Sequence, residues 1–282
     1  MTIRTLALST AALLCFVHSA IAEPTADELD KRADEVRTRL KGQGFTVLVE
    51  APFVVIGDES AGTVKHHATG IMRWCIKLIE QDYFSKRPNK LIEVWLFKNE
   101  RSFKAGAKKY FGDDPDTPYG YYSSDHDAMV MNIGPGAGTL THEIVHPYIE
   151  ANFPAGPSWF NEGLASLYER PSEKKGHIVG LANWRLPNLK KEIRGKTLPP
   201  LPTLLATTRD GFYNANFDAY AYARYLLMYL QEKDLLRDFY KKFTADKDLT
   251  GTAALEAILG EKLDTFEPKW RKWVLDLQGD NR

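Results

Sequence analysis

His142-Glu143-Ile144-Val145-His146 requires a helical backbone if its two imidazoles are to act together, because residues four apart on a helix share one face, about 5–6 Å between Cβ atoms. In that geometry the two rings can grip one cation. Glu143, rotated by roughly 100° from His142, stands beside the ion rather than on it. With seven His in 282 residues, chance assembly of the pentapeptide is expected in about 1% of such chains. Gly134, Pro135, Gly136 and Gly138 precede the segment, so the helix starts abruptly, with Thr139 as its predicted N-cap. Pro147 follows directly and cannot donate to the Glu143 carbonyl, which predicts a kink or loosening there.

A third ligand is expected from the next helix. Pro154, Gly156 and Pro157 form a turn, and Ser158 is the predicted N-cap of Ser158-Trp159-Phe160-Asn161-Glu162-Gly163-Leu164-Ala165. Doubling back, this helix carries Glu162 to the histidines. Zinc accepts histidine nitrogen and carboxylate oxygen, and three protein ligands leave a fourth position for water, with Glu143 as its partner.

The rest of the chain reads as α+β. A charged helix is predicted over 28–40, closed by Lys41-Gly42-Gln43-Gly44, with strands at 45–50, 52–56 and 91–97. Helical spacing recurs over 61–83, where Cys75 reads as a buried core thiol, and over 101–111. Residues 113–127, dense in Asp, Pro, Gly, Ser and Tyr, predict a long exposed loop, and 128–133 a short strand. Almost everything after Thr139 is helical or loop, with helices near 217–232, 235–243, 252–259 and 267–277 and a proline-broken connector over 186–202. The expected architecture is a small mixed sheet with N-terminal helices, residues 23–138. A mainly helical lobe, 139–282, carries the site within one continuous domain.

Composition narrows the setting. Arg4, the apolar run 6–17 and Ala20-Ile21-Ala22 form a signal-peptide pattern over 1–22 with cleavage expected after Ala22, which points to a periplasmic or extracellular protein. That run is too short to span a bilayer, and no later segment is long enough without charges, so no membrane insertion is expected after cleavage. Thirty-seven basic and 37 acidic residues leave no net field for a polyanion, so nucleic acid is not an expected partner. Of the two cysteines only Cys75 lies beyond the leader, so the mature chain forms no internal disulfide.

His142-Glu143-x-x-His146 followed by Trp159-Phe160-Asn161-Glu162-Gly163-Leu164-Ala165 resembles the gluzincin zinc metallopeptidases, specifically the peptidase-MA-like domains of exported bacterial proteins. Thermolysin and the zinc aminopeptidases are more distant members. The resemblance covers roughly residues 128–230. It implies one zinc ion held by His142, His146 and Glu162, Glu143 as general base, and a sheet edge over an active-site helix. Zinc aminopeptidases place an oxyanion-stabilising tyrosine on a later helix, and Tyr220-Ala221-Tyr222-Ala223-Arg224-Tyr225-Leu226-Leu227-Met228-Tyr229-Leu230 is similar. Tyr220 matches best in register, Tyr222 competes, and His177 is a third option. Ser166 stands where thermolysin-like enzymes place an acid that orients a zinc histidine, so that role must be filled from elsewhere.

The expected function is an exported zinc metallopeptidase in which Glu143 activates water for attack on a peptide carbonyl, with an extended substrate along the edge of strand 128–133. The same chemistry on a non-peptide or cell-wall amide is a second reading. A binding module with a vestigial zinc site is the third; the retained Glu143 argues against it, since structural zinc sites are normally closed by four protein ligands.

Overall fold

Strands with apolar residues on both faces must be covered on both sides, and this dictates the layers of the N-terminal half. The computed structural model describes residues 23–279, so the leader expected over 1–22 lies outside them. After α1 (Ala26–Arg39) come the hairpin β1 (Thr46–Glu50) and β2 (Phe53–Gly57), then α2 (Ala61–Lys65), a π-helical segment His66–Met72, and α3 (Arg73–Asp82). β3 (Ile92–Phe97), α4 (Glu100–Gly106), a π-helical segment Ala107–Phe111, β4 (Gly120–Ser123) and β5 (Ala128–Asn132) follow. The strands form one five-stranded sheet in the order β1-β2-β3-β5-β4, parallel at β2-β3 and β3-β5 and antiparallel at both edges.

Alternate residues divide two cores. Val54, Ile56, Trp95, Phe97 and Val130 face α1 and Phe103 of α4. Val55, Val94, Leu96, Met129 and Met131 join a second core that extends into the helices of the C-terminal half. The buried Cys75 thiol belongs to this second core, and burial pushes it up to about 12. One buried charge fastens α1 to the sheet: Glu93, 3% exposed, meets Arg32 at 2.7 Å and Arg39 at 3.3 Å and accepts the Trp95 indole N–H at 2.7 Å.

The C-terminal half is α5 (Gly138–Asn152), α6 (Ser158–Leu167), the hairpin β6 (Pro171–Lys174) and β7 (His177–Gly180), then α7 (Leu186–Gly195), α8 (Leu201–Leu205) and α9 (Arg209–Tyr213). α10 (Ala219–Glu232), α11 (Leu236–Ala245), α12 (Gly251–Leu259) and α13 (Leu263–Asp276) complete it. The architecture is α+β, a small mixed sheet with an N-terminal helix followed by a helical region, as the sequence led us to expect. No helix among the described residues is long and apolar enough to cross a membrane.

Five local expectations are corrected. The stretch 113–127 contains β4, whose tyrosines suit a half-exposed strand. The strand at 128–133 is not an edge: β5 is buried throughout and paired on both sides, and β4 holds the edge beside it. A hairpin interrupts the helical half because Lys175 and Gly176, at φ 54° and 78°, form a two-residue turn that the polar flanking run disguises. Residues 186–195 are helical, because Pro187 sits in the first turn where its missing amide costs nothing, and Leu186, Leu189 and Ile193 share a buried face. Neither predicted cap holds: Ala137 and Pro157 occupy the N-cap positions, so α5 begins at Gly138 and α6 at Ser158, each earlier than the predicted caps imply. α5 continues through Pro147 to Asn152.

Glu93→Ala would release Arg32 and Arg39 from their buried partner. Because both arginines keep substantial solvent contact, a loss of about 2 kcal/mol is expected, read as a lower urea midpoint at unchanged m-value.

Candidate metal centre

Three helices converge on the site, and glycines set how closely. A Cβ on Gly163 would lie 3.0 Å from the Ala223 Cβ and 3.2 Å from its backbone, so α6 and α10 pack almost main chain to main chain. A Cβ on Gly138 would lie 2.5 Å from the Glu169 carbonyl, which presses the start of α5 against the chain just past α6. Thr141 bonds the Tyr168 carbonyl at 2.6 Å across the same junction. His142 and His146 on α5 thereby face Glu162 on α6.

The imidazoles lie 4.9 Å apart between ring centres, and Glu162 Oε2 is 3.3 Å from His142 Nε2 and 3.8 Å from His146 Nε2. One ligand atom from each residue falls within 4.8 Å of the others, so the group could hold a metal ion. The other ring nitrogens face polar side chains of the protein, and that of His146 is hydrogen-bonded. His146 Nδ1 lies 2.8 Å from Asn161 Oδ1, an oxygen that can only accept, so the proton sits on Nδ1 and the Nε2 lone pair faces inward. His142 Nδ1 faces Glu169 Oε1 at 3.4 Å. Glu169 is held by Arg185 at 2.7 Å and the Asn183 amide at 2.8 Å.

The charges fit a cation. Burial opposes a charged His142, yet the Glu162 and Glu169 carboxylates more than offset it and push it up to about 10. Burial likewise opposes charge on Glu162 and Glu169, but the His142 ring holds each down at about 2, aided by His146 and Tyr213 for Glu162 and by Arg185 for Glu169. Glu162 Oε2 is buried with no hydrogen-bond partner, which a coordinated ion would satisfy. Nitrogen and oxygen donors in this number suit zinc with an open position.

Two cavities flank the triad, of about 520 and 680 Å³, and His142, Glu143 and Tyr220 line both. Thr117, Tyr119 and Gly120 wall the first, and Tyr121 and Tyr122 the second, so the strand edge at β4 runs past the His142, His146 and Glu162 group. Of the three residues considered for oxyanion stabilisation, the structure brings only Tyr220 to these walls. Its ring lies beneath the Arg185 guanidinium at 5.0 Å, and burial together with the Glu162 charge raises its phenol. Tyr222 is fully buried, stacked on Trp270 at 5.1 Å, with its hydroxyl 3.2 Å from the Pro199 carbonyl. His177 pairs with Asp82 at 2.5 Å and fastens the β6-β7 hairpin to α3.

Sequence reasoning missed Asn161, Glu169 and Tyr213. Asn161 precedes Glu162 inside the quoted motif and is legible from it in retrospect. Glu169 and Tyr213 lie beyond the helix end and on a separate short helix, where spacing carries no information. Comparison with known protein families and with curated proteins found no match for this chain.

Purified protein is expected to bind about one zinc ion per chain and to lose it on His142→Ala, as read by elemental analysis. Glu169→Ala, which leaves all three ligands in place, is expected to weaken zinc binding about 10–100-fold in chelator competition.

Proposed function

We propose that this chain is a zinc-dependent hydrolase of peptide bonds acting on extended polypeptide, exported by way of its first 22 residues. The observation that carries the reading is the meeting of a His142, His146, Glu162 triad with Glu143 at the junction of two cavities. A zinc ion held by the triad would supply the Lewis acidity that makes water a nucleophile at neutral pH and polarises the scissile carbonyl.

The chain's own groups do the rest. The Glu143 carboxylate takes the proton from the attacking water and passes it to the departing amine. The Tyr220 hydroxyl donates to the oxyanion as it develops, and the stacked Arg185 keeps that ring in place. The outer edge of β4, unpaired among the described residues, offers main-chain hydrogen bonds to an extended substrate, the role expected from the sequence for strand 128–133. Glu169 and Asn161 hold the two imidazoles in register.

Glu143→Gln, with zinc retained, is expected to lower cleavage of casein and blocked reporter peptides by about 10²–10⁴-fold. Tyr220→Phe is expected to lower kcat by about 10²–10³-fold with less effect on KM. A Glu143→Gln protein that keeps its zinc and the wild-type rate would overturn the proposal.

A further inference from the structure

The two oxygens of Glu162 meet different neighbours. Oε2 is orphaned and faces both Nε2 atoms, whereas Oε1 accepts the Tyr213 hydroxyl at 2.6 Å. Bonds of this length between a hydroxyl and a carboxylate are charge-assisted and roughly twice as strong as neutral ones. Tyr213 is 44% exposed, so it adds little to the core. It is nonetheless held firmly: it closes α9, whose start is capped by Thr208, and its ring packs against Phe212, Tyr220 and the Arg209 guanidinium.

An unrestrained carboxylate can turn and offer both oxygens to a cation. One whose Oε1 already accepts a short O–H bond offers a single oxygen, and a third ligand contributing one atom keeps a zinc site open. We propose that Tyr213 is a positioning residue that fixes Glu162 so that Oε2 alone faces the ion. The hydroxyl thus decides how many protein atoms the metal can touch. The inference rests on the zinc site of the preceding reading, but on nothing about its substrate.

The test is Tyr213→Phe in the full chain, which keeps the ring and its packing and removes only the hydroxyl. Zinc affinity measured by chelator competition is expected to fall about tenfold or more. The cobalt-substituted protein is expected to lose the intense visible absorption of a four-coordinate site for the weaker bands of higher coordination. The metal-free protein is expected to keep one cooperative melt, lowered only by the few degrees that loss of a single hydrogen bond to a buried carboxylate brings. Zinc affinity within about twofold of wild type, or an unchanged cobalt spectrum, overturns the proposal. So does loss of the cooperative melt in the metal-free variant, because the hydroxyl would then be holding the fold. If wild-type protein binds no zinc, the metal reading itself fails; if it binds zinc but cleaves nothing, the hydrolase reading fails and this inference stands.

Discussion

The burial of the Glu162 carboxylate is the constraint on which the rest depends. At 5% exposure it cannot be solvated, and an uncompensated buried charge costs several kcal/mol. Its answer comes from three separate places in the chain: the imidazoles of α5, the phenol of Tyr213, and the close α6-α10 approach at Gly163 that fixes where the carboxylate stands. The sheet contributes by burying one face of α5 through Met129, Met131 and their neighbours. The helical half surrounds the carboxylate with partners that no single segment could provide.

What the sequence made legible follows from what spacing encodes. Residues four apart on one helix share a face by geometry alone, so His142 and His146 could be paired from their spacing. Glu162 could be read as a ligand because a turn returns its helix to the first. The α+β layout was legible because its strands are short apolar runs between helical periods. The alternatives offered for Tyr220 separate only in three dimensions: Tyr222 has the same chemistry two residues on, yet a helix turns it into the core beside Trp270. The mistaken substrate edge came from reading 128–133 as the last strand, when the loop before it folds back and pairs outside it.

Glu169 shows why the histidine's support was hidden. Helix α6 stops at Leu167, and the acid that faces His142 is presented by the turn beyond it rather than by the same helical face. The chain gains a linkage from this placement. Arg185 binds Glu169, stacks on Trp184 at 4.3 Å and lies over Tyr220 at 5.0 Å. One guanidinium therefore ties the outer wall of the cleft to the carboxylate that faces His142, so the rim and the imidazole are two contacts apart.

The strand β4, one of the two edges of the five-stranded sheet, bears on how the molecule meets its own copies. A sheet border with free amides and carbonyls invites neighbouring chains to zip onto it, and folds resist this by keeping such borders brief and interrupted. Here β4 is four residues long, preceded by Pro118 and followed by a turn ending in Asp127 at φ 44°. Four residues offer a neighbouring chain few main-chain groups to pair with, and the bends at both ends keep this border from being extended into a longer flat ribbon.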